Sequence, residues 1–577
     1  MGKVNDFIDK MISSLKIKIE DQDKPWLKFY NDMPEHIRYF DGSIYDAFKE
    51  TALKYSSNFA YEYFFRKTTY KDLLRKIDRV ARALKQFNIV ENECITICLP
   101  NTPEGIELIY ACNKLGLIAN IVHPLSSTAD IQRAIDETNS SILFCSDVSM
   151  PKARNIKVDK FIVVPVSNEL DGFLKVGYNI QNKTNLTLDE NMVFWSEFLN
   201  AKTSNKDTYV KRDENDPAII IYSGGTTGKP KGIIISNLNL NAMAQQTRFV
   251  CKEVIPGQSI LSALPIFHVF GFAVCIHVPL LSGMKCIVLP KLDTKNINKV
   301  IKKYKPNILP VVPTLLGMII NDKSPGSNGF KDVKTIVCGG DYLPPELKAK
   351  TEQYFHEHGS KAFVQVGYGL SEATGFCCAT YPNLNDEKAL GIPNPDTIIK
   401  IFEPNTDIET ATGNIGEICV NGPTIMMGYI NEDSETKKTI VSHNDGKTWL
   451  HTGDLGYVNE KGIFHYSSRL KRMIISNGYN IYPLELEEII CKNKYVDSCT
   501  VVAIPHKIKG QVPKAVIVLK KGIDSNSNIK NEIKDYCEEN IAKYAQPHEF
   551  EFRKIMPRTA VGKVDFKVLQ EKYANNG

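Results

Sequence analysis

The sequence holds 577 residues, more than one hydrophobic core organises, so two or more domains are expected. Hydrophobic residues make up 43% and charged residues 24%, an ordinary globular balance. The net charge of +5 is spread along the chain without a basic block, which argues against a nucleic-acid partner.

Met1–Lys18 has no uninterrupted apolar core and is not expected to act as a secretory signal. Asp6 stands where a myristoylation motif requires Ser or Thr. In "YKDLLRKIDRVARALKQFNI", Leu73, Leu74, Ile77, Val80, Ala81, Leu84 and Phe87 recur on one helical face. "CITICLP" reads as a buried strand. "NTPEGIELIYACNKLGL" opens a helix with Thr102 as N-cap, Pro103 at the first helical position and Glu104 in the first turn. "IANIVHP", "TADIQRAIDETN" and "SILFCS" continue as strand, helix and strand. This alternation predicts βαβ units and a parallel sheet, hence an α/β fold. The most apolar internal run, "GFAVCIHVPLLSGM", carries His277 and Pro279 and is too short to span a bilayer. The βα rhythm returns at "ELKAKTEQYFHEHG" and "AFVQVGYG". From "GEICVNGP" onward, short strands joined by Gly, Asn and Asp turns are expected, with a boundary near "SSRLKR". The expected division is a large domain over 1–468 and a small mobile α+β domain over 469–577. Fourteen cysteines are scattered without a C-x-x-C pair, so reduced, mostly buried thiols and a cytoplasmic location are expected.

One stretch demands a chemical reading. Tyr222–Gly232, "YSGGTTGKPKG", is flanked by apolar "AIII" and "IIIS". Glycines let successive backbone N–H groups turn toward one anion. Ser223, Thr226 and Thr227 add hydroxyl donors, Gly224, Gly225 and Gly228 the freedom to turn, and Lys229 and Lys231 charge. The combination suits phosphate. It is not a P-loop: three residues separate Gly224 from Gly228, and Pro230 occupies the place of the magnesium-binding hydroxyl. A glycine-rich hairpin with solvated lysines is the competing reading of this stretch by itself.

Six further stretches follow in order: "LPIFHVFGF" (264–272), "VGYGLSEATG" (366–375), "GEICVNGP" (416–423), "HTGDLGYV" (451–458), "SRLKRMIISNGYNIYPLELEE" (468–488) and "PRTAVGKVD" (557–565). With the glycine loop they resemble the adenylate-forming (AMP-binding) superfamily, whose members activate carboxylic acids with ATP. The resemblance runs from about Pro25 to the C-terminus. Its chemistry makes physical sense. A weak carboxylate nucleophile must attack the α-phosphate of ATP, and both reactants are anions, so the site must be electropositive and hold magnesium.

The resemblance implies a role for each matching residue. Ser223–Lys231 would wrap the β,γ-phosphates, and Glu372 would ligate Mg2+. Ser371 would donate to the α-phosphate. Tyr368 and Gly369 would border adenine on one side, and Gly339, Gly340 and Asp341 in "CGGDYLP" on the other. Asp454, in "HTGDLG", which reads as a tight turn leaving a strand, would accept from the ribose hydroxyls, with Arg469 in support. Lys563, in an intact P-x-T-x-x-G-K motif, would bridge the carboxylate and the α-phosphate, so Lys563, Glu372 and Thr226 form the expected catalytic group. Lys471 is the implied hinge, and Gly478 and Tyr479 the implied approach to CoA. The chain departs from the common pattern at Gly224, where many relatives have Ser, at Ser468 in place of Gly, and at Phe566, where a basic residue often follows the lysine.

Amino-acid-activating relatives carry an aspartate in the segment matching "LPIFHVFGF". Here it is apolar except for His268, which with Phe272 would border an acyl pocket, so an uncharged acid is expected. "KPWLKFYNDMPEHIRYF" resembles the substrate-entrance region of long-chain fatty acyl-CoA synthetases. The expected substrates are therefore a medium- or long-chain fatty acid, ATP and CoA, with an aryl acid as the alternative substrate and a separate acyl carrier protein as the alternative acceptor. Peripheral membrane contact would come through the lipid substrate. A nucleotide-binding sensor without turnover should lack Glu372 or Lys563, and both are present.

Overall fold

Helix starts follow capping chemistry. The side chains of Ser43, Thr69, Thr102 and Ser127 each accept from a backbone N–H in the first turn of the helix that follows. The amphipathic Tyr70–Leu84 helix buries Leu73, Ile77, Val80, Ala81 and Leu84. Phe87 falls in a separate 3-10 turn, Lys85–Phe87. The Pro103–Lys114 helix is buried on every face.

The computed structural model describes residues 24–170, 172, 175, 176, 178, 189–200, 208–223, 230–322, 328–477, 479–558 and 564–574. The chain forms two compact units. Of the described residues, those within 24–223, 230–398 and 420–450 belong to one, and those within 399–419 and 451–574 to the other.

The first unit contains two parallel-rich sheets, as the βαβ rhythm predicts. In one, parallel strands Phe363–Tyr368, Thr335–Gly339, Ile308–Val311, Ser259–Ser262, Lys285–Val288 and Phe59–Tyr63 lie side by side, with short antiparallel strands at the edges. In the other, parallel Pro217–Tyr222, Ile118–Ile121, Cys94–Cys98, Ile142–Ser146, Lys160–Val164 and Met192–Phe194 are neighbours, and Gly232–Ser236 pairs antiparallel with Pro217–Tyr222. A single core joins residues of both sheets, including Tyr61, Cys286, Ile97, Phe144 and Ile219, to the buried Pro103–Lys114 helix.

The second unit is α+β. Strands Ile474–Ser476, Tyr479–Ile481, Val496–His506, Gly510–Leu519 and Glu549–Arg553 form its main sheet. Helices Pro483–Cys491 and Ser527–Asn540 bury Leu486, Ile490, Ile533 and Cys537 in a common core.

Two expectations need correction. The strands after Gly416 are not all short: Thr448–Val458 and Val496–His506 each run 11 residues. "HTGDLG" is not a turn leaving a strand but the middle of one. Gly453, at φ +68°, admits a backbone conformation that side chains resist, and the pairing slips by one residue between Leu455 and Gly456. The apolar run after His268 also has an unexpected form. Phe270–His277 is a π-helix, and a Cβ on Gly271 would lie 1.8 Å from the Pro265 carbonyl oxygen.

Among the described residues no helix is long and apolar enough to cross a membrane.

Candidate active site

In the first unit, the parallel strands Thr335–Gly339 and Phe363–Tyr368 end beside each other, with Gly339 opposite Gly367. The chain turns sharply after both. Gly340 sits at φ +84°, and a Cβ on Gly369 would come 1.9 Å from the Gly375 carbonyl oxygen. This shared strand end brings together Gly339, Gly340, Asp341, Tyr368, Gly369, Ser371 and Glu372. It matches the carboxyl-end crevice where parallel α/β sheets hold ligands. Asp341 is exposed and caps its own turn, accepting from the Tyr342 N–H at 2.9 Å.

Glu372 lies in the 3-10 turn Ser371–Ala373 and is partly exposed. Its Oε1 accepts from the Tyr429 hydroxyl at 2.8 Å. A hard carboxylate with a serine hydroxyl next to it in the chain suits Mg2+. Bound there, the ion would neutralise charge on the phosphate oxygens.

The glycine loop leaves the Pro217–Tyr222 strand and returns into Gly232–Ser236. Its base is closed by the Ser223 N–H to the Lys231 carbonyl (2.9 Å) and by the Lys231 N–H to the Ser223 hydroxyl (3.3 Å). A strand, not a helix, follows Lys231, in keeping with the rejection of a P-loop. Gly224, Gly225, Thr226, Thr227, Gly228 and Lys229 lie outside the described residues. The Lys231 ammonium pairs with Glu435 at 2.7 Å and lies 5.0 Å from the centre of the Tyr429 ring. Lys231 and Lys438, both paired with Glu435, hold its carboxyl down at about 2.

On the acyl side, the ring of His268 lies near Phe267 and at right angles to His123, 5.3 and 6.4 Å between centres. Burial lowers the His123 imidazole below its ordinary range, so the ring is neutral at pH 7. Phe272 is fully buried in the π-helix, and its N–H bonds to the His268 carbonyl.

In the second unit, Asp454 is buried and stands opposite Arg469 on the paired Phe464–Arg469 strand. The two form an ion pair, with Arg469 Nε 2.7 Å from Asp454 Oδ1. Glu417 supports this strand from beside it. One carboxylate oxygen accepts from the Gly453 N–H and the other contacts His451 Nδ1, both at 2.9 Å. Glu417, Cys419 and His451 have ligand atoms within 4.8 Å of one another, but these two bonds already account for the carboxylate. Lys471 is exposed in the 3-10 turn Leu470–Arg472. Tyr479 is exposed and stacks on Tyr544, 4.9 Å between ring centres. Gly478 and Lys563 lie outside the described residues.

Sequence reasoning missed Tyr429, Glu435, Glu417 and His123. The stretch "GYINEDSE" (428–435) offered a glycine-led tyrosine and an acidic run, but only folding shows which residues they meet.

A sequence profile described as AMP-binding enzyme matches residues 48–430, and one described as AMP-binding enzyme C-terminal domain matches 485–563. The chain is 30% identical over 565 residues to a long-chain-fatty-acid–CoA ligase of Bacillus subtilis (strain 168), spanning 96% of this chain and 99% of that one. It is 27% identical to the probable 4-coumarate–CoA ligase 3 of Dictyostelium discoideum, spanning 93% and 94%. Its fold is similar to that of ATP-bound MatB from Rhodopseudomonas palustris, with a TM-score of 0.79 at 23% identity over 92% of this chain and 99% of that one.

Proposed function

The chain belongs to the AMP-binding enzyme family, and from that premise we propose that it joins a medium- or long-chain fatty acid to CoA through an acyl-adenylate. The observation that carries the adenylation step is the strand-end cluster. Tyr368, Ser371 and the phenol-held Glu372 stand beside the Gly339–Asp341 turn.

Each residue has a distinct task. Gly339–Asp341 and Tyr368 bracket the adenine. Asp454, fixed by Arg469, accepts from the ribose hydroxyls. Glu372 would hold the magnesium. The Ser223–Lys231 loop covers the β,γ-phosphates, which requires the Lys231–Glu435 pair to open if that ammonium is to reach them. Lys563 would offset the developing charge as the fatty-acid carboxylate attacks the α-phosphate and pyrophosphate leaves. The CoA thiol then attacks the acyl carbonyl and releases AMP. Tyr479 belongs to the surface that receives CoA.

The fatty-acid assignment rests on the apolar sequence segment around His268, on the buried Phe272 and on the similarity to the Bacillus subtilis ligase. An aryl acid is the second reading, favoured by the similarity to the Dictyostelium discoideum ligase. A chain-length series separates them. An apolar pocket gains about 0.8 kcal/mol per buried methylene until its floor is reached. CoA-thioester formation should therefore climb with fatty-acid length and then drop, with acetate and free amino acids poor. Preference for benzoate or cinnamate over octanoate and longer acids would establish the aryl reading instead.

A further inference from the structure

Tyr429 touches two groups of the candidate site at once. Its hydroxyl donates to Glu372 Oε1 at 2.8 Å, and its ring face lies 5.0 Å from the Lys231 ammonium. The side chain is buried, and its backbone is pinned on several sides. Gly428 and Tyr429 pair with Ile234 and Ile233 on the strand that leaves the glycine loop. The Ile430 N–H bonds to the Gly232 carbonyl at 2.8 Å, and the Met426 N–H to the Glu372 carbonyl at 2.9 Å. The Tyr429 N–H is taken by the Thr436 hydroxyl at 2.9 Å. Nearby, the Thr374 hydroxyl bonds to the Thr424 carbonyl at 2.6 Å. Residues 424–430 therefore tie the exit of the glycine loop to the turn that carries Glu372.

We propose that Tyr429 is a positioning residue for the first half-reaction: its hydroxyl orients the magnesium-binding carboxylate of Glu372, and its ring holds Lys231 at the base of the phosphate loop. This rests on the adenylation reading given above. A carboxylate in a short turn has free torsions, and a metal site works best when its ligand is already aimed. The phenol removes that freedom at one oxygen and leaves the other available. The ring face offers Lys231 a cation–π contact without a formal charge that would repel phosphate. Glu435 completes the Lys231 anchor.

Two variants separate the roles. Tyr429→Phe keeps the ring and loses the hydroxyl; Tyr429→Leu loses both. ATP binding is measured by titration calorimetry without acid substrate, once in EDTA and once in magnesium. Pyrophosphate exchange is measured across a magnesium series. For Tyr429→Phe, ATP affinity in EDTA should match wild type, the tightening brought by magnesium should shrink about tenfold, and half-maximal exchange should need about tenfold more magnesium. Tyr429→Leu should also bind ATP more weakly in EDTA. A Tyr429→Phe protein with wild-type magnesium dependence in both assays overturns the proposal, as does one equally weakened with and without the ion. Wild-type protein that shows no magnesium-dependent exchange with any acid overturns the adenylation reading itself, and the role of Tyr429 with it.

Discussion

A carboxylate meant for a metal must not be neutralised by the protein first. Glu372 meets that condition. The partner described for its side chain is a neutral phenol, whereas Asp454 is matched by Arg469 and Glu435 by Lys231. The three acids therefore separate into one open to a cation and two already paired. Glu372→Gln keeps size and hydrogen bonding but removes the charge. It should lower acid-dependent pyrophosphate exchange by about a hundredfold or more, the scale of losing a major electrostatic stabiliser, with little change in thermal melting. Exchange near wild type in this variant would remove Glu372 from the metal site. Glu372, Asp454 and Arg469 could be picked out as candidates in the sequence because each lies in a short local motif. The contacts of Tyr429 could not. They join residues 57 apart in the chain in one case and 198 apart in the other, and no local pattern encodes such a meeting.

At the scale of elements, periodicity and capping placed the βαβ segments well, since Thr102 and Pro103 start their helix as expected and the strands "CITIC" and "ILFCS" pair in parallel. Glycine-rich strand interiors were misread. The "HTGDLG" segment around Asp454 read as a tight turn, yet it lies inside a long strand, and Gly456 is needed there because a Cβ would lie 2.2 Å from the His465 carbonyl oxygen. The π-helix at Phe270–His277 was equally illegible, because its apolar run has no polar face to reveal a period. The junction after Arg469 carries a prediction about motion. Lys471 lies in a 3-10 turn, whose φ proline tolerates. Proline there fixes one conformation of the proposed hinge and prevents the φ change a swing requires. Lys471→Pro should retain substantial acyl-adenylate formation and lose most thioester formation. Lys563→Ala should fail to form the adenylate, yet pass pre-formed acyl-adenylate to CoA. Equal loss of both half-reactions in both variants would contradict a hinge at this position.

At the scale of the whole molecule, the large unit carries an unusual buried charge cluster. Glu104 and Glu107 lie on the fully buried Pro103–Lys114 helix, near Glu169, and Lys76 contacts Glu169 at 2.7 Å and Glu107 at 3.3 Å. Burial pushes Glu104 up to about 7 and Glu107 up to about 8. Both lie above the unfolded value of about 4.3. Their contribution to stability is therefore full below that value and is lost as the pH rises through 7 to 8, where the folded state must give up protons at a buried site. Thermal stability should fall between about pH 5 and pH 8 and level off above, and Glu107→Gln, which cannot ionise, should flatten that fall. An unchanged slope in the variant would show that Glu107 is not the titrating group. The function proposed for the molecule depends most on one event, the formation of an acyl-adenylate. Its direct measurement is acid-dependent exchange of labelled pyrophosphate into ATP, with mass detection of the acyl-AMP, over saturated fatty acids, benzoate, cinnamate and amino acids in the presence of magnesium. The account predicts exchange and a matching acyl-AMP with medium- or long-chain fatty acids, abolished by removing magnesium. ATP binding without exchange for any acid would contradict it.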